Sequence, residues 1–79
     1  MARQAAKLIS ALEAESRAHQ QLVNIGDELK TVYRAGQTPD EDEMLRLRQA
    51  YEALMGAAKA VRAAAYDELT LVSRKRRAA

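Results

Sequence analysis

The sequence contains no cysteine, no phenylalanine and no tryptophan, and its 79 residues include only one proline and three glycines. Without cysteine, the chain forms neither disulfides nor thiolate metal sites. It has no apolar run near the roughly 20 residues that cross a bilayer, and its N-terminus, residues 1–4, lacks the apolar stretch of a signal peptide. We therefore expect a cytoplasmic protein without a membrane span.

Alanine, leucine, glutamate, arginine, lysine and glutamine make up most of the chain. These residues lose the least free energy on entering a helix. Valine, isoleucine and threonine are few and never alternate with polar residues, so strands are not expected. The composition predicts an all-α fold, and the length predicts one domain.

The strongest break in the helical pattern is the segment 35–40. Gly36 can adopt the left-handed conformation that ends a helix, and Pro39 cannot continue one. We predict that Thr38 is the N-cap of a second helix, with Glu41 completing a capping box. So short a turn predicts an antiparallel two-helix hairpin. Its expected parts are a helix over about 3–35, a turn at 36–38, a helix over about 39–73 and a basic tail at 74–79.

The apolar residues repeat at helical spacing in both halves. In helix one the predicted stripe is Leu8, Leu12, Leu22, Ile25, Leu29 and Val32. In helix two a coiled-coil-like heptad pattern runs through Met44, Leu47, Tyr51, Leu54, Ala58, Val61 and Ala65. We predict that these two stripes pack against each other.

Several large apolar residues lie away from these stripes, including Ile9, Val23, Met55 and Tyr66. Two helices cover only one stripe of each other, and small domains without disulfides or metals usually gain stability by oligomerising. We therefore expect a protein partner, either a homo-oligomer or a heteromeric helical bundle. The predicted partner interface is Leu47, Tyr51, Leu54, Met55, Ala58, Val61, Tyr66 and Leu69.

Polar residues interrupt the stripe of helix one at Glu15, Ser16 and His19. They fit a polar layer that fixes the register of a bundle, and a pH-sensitive interface is the alternative. A catalytic triad on one helix lacks an oxyanion hole and a pocket. The acidic run 40–43 is explained by its position at a helix start. We predict no catalytic residue, no cofactor and no metal site, and therefore no enzyme.

The net charge of +2 is concentrated at the C-terminus, because the rest of the chain has nine basic and eleven acidic residues. The four basic residues are Arg74, Lys75, Arg76 and Arg77. Three interpretations are open: a solvated helix end that complements the helix dipole, a site for nucleic-acid phosphates, and a site for an acidic protein or membrane surface. The segment contains no aromatic residue for base stacking.

The turn region 34–41, followed by Leu45, Tyr51 and the run 52–54, resembles the small co-chaperones of type III secretion needle subunits. The resemblance implies a two-helix hairpin that binds a helical-repeat chaperone and a secreted subunit. The spacing from Pro39 to the Ala53–Leu54 pair departs from that family by two residues, and the basic tail has no counterpart there.

The predicted function is a non-enzymatic protein–protein interaction module, such as an adaptor, an inhibitor or a chaperone-like subunit. The alternative is a nucleic-acid-associated dimeric regulator that uses the basic tail.

Overall fold

Two helices joined by a six-residue connection make up the described part of the chain. The computed structural model describes residues 5–78, with side chains for residues 5–76. Helix α1 is Ala6–Arg34 and helix α2 is Glu41–Ala78, and no strand occurs within the described range. The predicted all-α helical hairpin is confirmed. The predicted helix start near residue 3 lies outside the described residues, as does Ala79.

Helix α1 ends in the manner that its glycine predicts. Gly36 has a φ of 76°, in the left-handed region that side chains disfavour. The Gly36 N–H donates to the Tyr33 carbonyl at 3.0 Å, and the Gln37 N–H donates to the Val32 carbonyl at 3.1 Å. These two bonds form a Schellman motif, which satisfies carbonyls that the helix end leaves without partners.

Helix α2 begins with a capping box two residues later than predicted. The Glu43 N–H donates to Oδ1 of Asp40 at 2.7 Å, and the Asp40 N–H donates to Oε1 of Glu43 at 3.3 Å. Asp40 is therefore the N-cap, and the prediction that Thr38 caps the helix was wrong. The Asp40 carboxylate accepts a stronger, charge-assisted hydrogen bond than the Thr38 hydroxyl could. Pro39, the residue before Asp40, is buried.

This cap predicts opposite outcomes for two neighbouring positions. Asp40→Ala should lower the free energy of unfolding by about 1 kcal/mol, because the Glu43 N–H loses its acceptor. Thr38→Ala is the matched control and should leave stability unchanged. Urea denaturation followed by circular dichroism measures both variants. A larger loss for Thr38→Ala than for Asp40→Ala would contradict the cap.

The two helices pack along what we call the seam. In α1 its buried and half-buried residues are Leu8, Ala11, Ala14, Ala18, Leu22, Ile25, Leu29 and Val32. In α2 they are Glu43, Leu47, Ala50, Leu54, Ala57, Val61, Ala64, Glu68 and Leu71. Apart from Pro39, the buried residues in the described part of the chain are Ala18, Leu29, Ala50 and Ala64. The core is therefore made mostly of alanine.

The seam corrects the predicted packing stripes. Leu12 is 44 % exposed and Tyr51 is 56 % exposed, so neither is a seam residue, and Met44, Ala58 and Ala65 are exposed as well. The seam of α2 instead passes through alanines one position earlier in the sequence. Small side chains allow two helix backbones to approach closely, which the larger Tyr51 would prevent.

Helix α2 also continues further than predicted, through the basic segment to Ala78. The segment was expected to be a tail beyond a helix ending near Ser73. Arginine, lysine and alanine are strong helix formers, and no glycine or proline follows to stop the helix. The basic residues are therefore held on a helix.

Candidate interaction surface

Between the side chains of residues 5–76, the ion pairs Lys7–Asp67 and Arg46–Glu28 join α1 to α2, and both lie on the same side of the hairpin. Lys7 Nζ is 3.5 Å from Asp67 Oδ2, and Arg46 Nη2 is 3.1 Å from Glu28 Oε2. Each of these side chains is more than half exposed, so each pair contributes about 0–1 kcal/mol at most. We call this side the ion-pair side.

The opposite side of the hairpin is apolar. Successive residues of a helix are rotated by about 100° about its axis. This rotation shows which side chains lie on the same side as the ion pairs and which lie on the opposite side. Eight large apolar residues, each between 41 % and 63 % exposed, point away from the ion-pair side and define the apolar side. They are Leu12, Val23, Tyr33, Met44, Tyr51, Met55, Leu69 and Val72. Exposed apolar residues grouped in this way are typical of a surface that another molecule covers.

The predicted partner interface divides between the seam and the surface. Leu47, Leu54 and Val61 are half-buried against α1. The other five members are exposed: Tyr51, Met55, Ala58, Tyr66 and Leu69. Leu12 and Met44 were not predicted to be interface residues, because their spacing placed them in the packing stripes.

Polar side chains also lie on this side, and three of them matter here. They are Glu15, which is half-buried at the edge of the seam, and His19 and Arg62, which are exposed. Within residues 5–76 none of the three forms a hydrogen bond or an ion pair. The one-turn spacing of Glu15 and His19 therefore does not produce a bond within the hairpin. Their polar groups are available to another molecule.

The ion-pair side carries two open grooves rather than an enclosed pocket. Ala14, Gln21 and Asn24 line them from α1, and Gln49 and Ala57 line them from α2. Among the described residues, no group of three or more His, Asp or Glu is placed to hold a metal ion. No buried side-chain nitrogen or oxygen in this range lacks a partner, so no polar group is directed into a hidden site.

The two ends of the hairpin differ in charge. At the turn, Glu41 and Asp42 are exposed in the first turn of α2. At the other end, Arg74, Lys75 and Arg76 are exposed on α2, while the side chain of Arg77 lies outside the described ones. Carboxylates at a helix start and cations at a helix end both complement the helix dipole.

No protein-family model, no curated protein and no solved structure matches this chain. The resemblance to type III secretion co-chaperones therefore stays a prediction. Neither α1 nor α2, over the residues described, has an apolar stretch long enough to span a bilayer.

Proposed function

We propose that this chain is a non-enzymatic protein–protein interaction module that acts through its apolar side. The observation that supports the proposal is the exposure of Leu12, Tyr51, Met55 and Leu69 on one side of the hairpin. Burial of apolar surface stabilises a complex by about 25 cal/mol per Å². The hairpin itself buries little besides alanine, so much of its apolar surface is left for a partner.

A second candidate function is binding to nucleic acid through the C-terminal end of α2. The observation that favours it is the exposure of Arg74, Lys75 and Arg76 on a continuous helix. Such a cluster can displace counterions from phosphates, which makes binding steeply dependent on salt. Because α2 begins with acidic residues, this contact would involve only one end of the molecule.

The test compares two classes of ligand at low and at physiological salt. Protein association is measured with an extract of the native host and with the pure chain itself, and nucleic-acid binding with duplex DNA and structured RNA. Three variants are compared with the parent: Met55→Glu on the apolar side, Leu45→Glu at an exposed position outside it, and a variant with residues 74–77 changed to alanine.

Protein association should survive physiological salt and should disappear only in Met55→Glu, because apolar burial is screened little by ions. The variant at residues 74–77 should retain it, since exposed charges add little at that salt. One combined result would contradict the proposal. The parent would bind nucleic acid tightly, the variant at residues 74–77 would lose that binding, and no protein association would depend on Met55.

A further inference from the structure

The apolar side of α2 is symmetrical about a point near the middle of the helix. Counted outward from that point, its side chains form the pairs Met55–Ala58, Tyr51–Arg62, Arg48–Ala65 and Met44–Leu69, and at the ends Val72 is opposite Glu41. All five pairs have the same midpoint, between positions 56 and 57. The four inner pairs combine types that suit one another: long chains with alanine, an aromatic ring with a cation, and two aliphatic chains.

Helix α1 has a similar symmetry on the same side. Leu12 and Val23 are centred between positions 17 and 18, and Glu15 and His19 are centred on position 17. The inner pair combines an acid with a base, and the outer pair combines two apolar side chains. Neither member of the inner pair has another partner within residues 5–76.

The two centres lie at the same height along the hairpin. The interhelical ion pairs place Lys7 level with Asp67, and Glu28 level with Arg46. Interpolation between them places position 17 level with position 57. Each helix therefore defines a centre from its own residues, and the two centres coincide. A single twofold axis that lies over the apolar side, perpendicular to both helices, would place one member of each pair opposite the other member in a second copy.

We propose that a second copy of this chain covers the apolar side, as an antiparallel dimer whose twofold axis runs between the two copies, over residue 17 of α1 and residue 57 of α2. The inference rests on the proposed function and names its partner. In this dimer α1 packs on α1 of the second copy and α2 packs on α2, with the two turns at opposite ends. A twofold contact requires a self-complementary surface, which the paired residues supply.

The arrangement gives Glu15, His19 and Arg62 a partner in the second copy. Glu15 of each copy faces His19 of the other copy. The dimer therefore contains two such charge-assisted contacts. Arg62 lies over the ring of Tyr51 in the second copy, where a guanidinium is attracted to the aromatic face. Met55 fills the space that the small Ala58 leaves.

The charges at the two ends favour the same orientation. An antiparallel dimer places Arg74 and Lys75 of each copy beside Glu41 and Asp42 of the other. A parallel dimer would place like charges together at both ends. Complementary charges of this kind select the orientation more than they add affinity.

The exposed area of the hairpin is sufficient for such an interface. Its accessible surface is 6606 Å², whereas a compact monomer of its mass of 8.8 kDa exposes about 4,800 Å². The excess of about 1,800 Å² exceeds the roughly 800 Å² that each partner buries in a standard interface. The elongated form, 63 × 19 × 15 Å, presents this area along its whole length.

Sedimentation equilibrium tests the association. The parent should be a dimer at micromolar concentration. Met55→Glu should raise the dimer dissociation constant on the order of 100-fold, because it buries two nearby carboxylates at the axis. Leu45→Glu, an equally drastic change at a position 49 % exposed and outside the apolar side, should leave the dimer intact. Circular dichroism should show the same helix content in all three.

Single cysteines test the orientation, because the chain has none of its own. The Ala58→Cys variant should form a disulfide between the two copies of residue 58, since these lie only about 4.5 Å apart along the helix direction. The Met44→Cys variant should not, since its copies are about 37 Å apart. A mixture of Met44→Cys and Leu69→Cys should form the mixed disulfide.

A monomeric parent at about 100 μM, well above the roughly micromolar range of a specific complex, would overturn the inference. Self-linking of Met44→Cys as efficient as that of Ala58→Cys would overturn the antiparallel orientation. If the parent is monomeric but a host protein still binds it in a Met55-dependent manner, the inference fails and the proposed function stands. If the parent neither self-associates nor binds a host protein, the dimer and the proposed function are both overturned.

Discussion

Leu29→Ala is expected to lower the free energy of unfolding by about 2–5 kcal/mol, the range for large-to-small changes in a core. Leu29 is 7 % exposed and is the one large aliphatic side chain among the buried residues of the described chain. The cost includes both the lost burial of the side chain and the cavity left where the two helices meet. A loss of this size is a large part of the total stability of a small domain.

The matched control for this change is Leu45→Ala. Leu45 has the same side chain but is 49 % exposed, so its removal should change the free energy of unfolding by less than about 0.5 kcal/mol. Both variants are measured by urea denaturation at one fixed protein concentration, because association shifts apparent stability. Equal midpoints for the two variants would show that Leu29 does not support the core.

Ala64→Leu is expected to destabilise the hairpin by about 1–3 kcal/mol, because added methylenes in a packed contact force the helices apart. Ala64 is the most buried of the core residues, at 2 % exposure. For a domain of this size, each kcal/mol corresponds to a change of about 4–8 °C in melting temperature. Thermal unfolding followed by circular dichroism therefore resolves the effect.

Ala63→Leu provides the comparison, since Ala63 is exposed on the same helix. Leucine and alanine differ little in helix propensity, so the Ala63 variant should melt within about 2 °C of the parent. A melting temperature for Ala64→Leu at or above that of the parent would mean that α1 does not approach α2 closely at this point.

The hairpin itself could be predicted from the sequence because its signals are local. Gly36 ends a helix through its own backbone freedom, and the proline and acids that follow start another within a few residues. The exact cap could not be predicted. Thr38 with Glu41 and Asp40 with Glu43 have the same spacing, so two capping boxes overlap in the sequence.

The rotation of α2 about its axis was predicted wrongly for a similar reason. Leu47, Leu54 and Val61 belong both to the heptad through Tyr51 and to the seam through Ala50. Apolar periodicity alone favours the heptad with the larger side chains. The contact between the helices favours the smaller ones, because close backbone approach excludes a tyrosine. That choice depends on the second helix and is not visible in α2 alone.

The candidate surface follows from the same rotation. Once alanines occupy the seam, Tyr51, Met55 and Leu69 face outward. Leu47, Leu54 and Val61 face inward instead. The ion pairs that distinguish the two sides join residues far apart in sequence, such as Lys7 and Asp67, so sequence spacing could not reveal them.

The connection between the helices has a consequence for their alignment. The seam of α2 repeats every seven residues, so Ala57 can occupy the place of Ala50, and Ala64 that of Ala57, after α2 slides by about 10 Å. The apolar contacts alone therefore tolerate more than one sliding position. The six residues from 35 to 40 do not, because a slide of that length breaks the hydrogen bonds of Gly36 and Asp40. The turn therefore prevents α2 from sliding along α1. It holds the two helices in the single alignment that brings the two halves of the apolar side together.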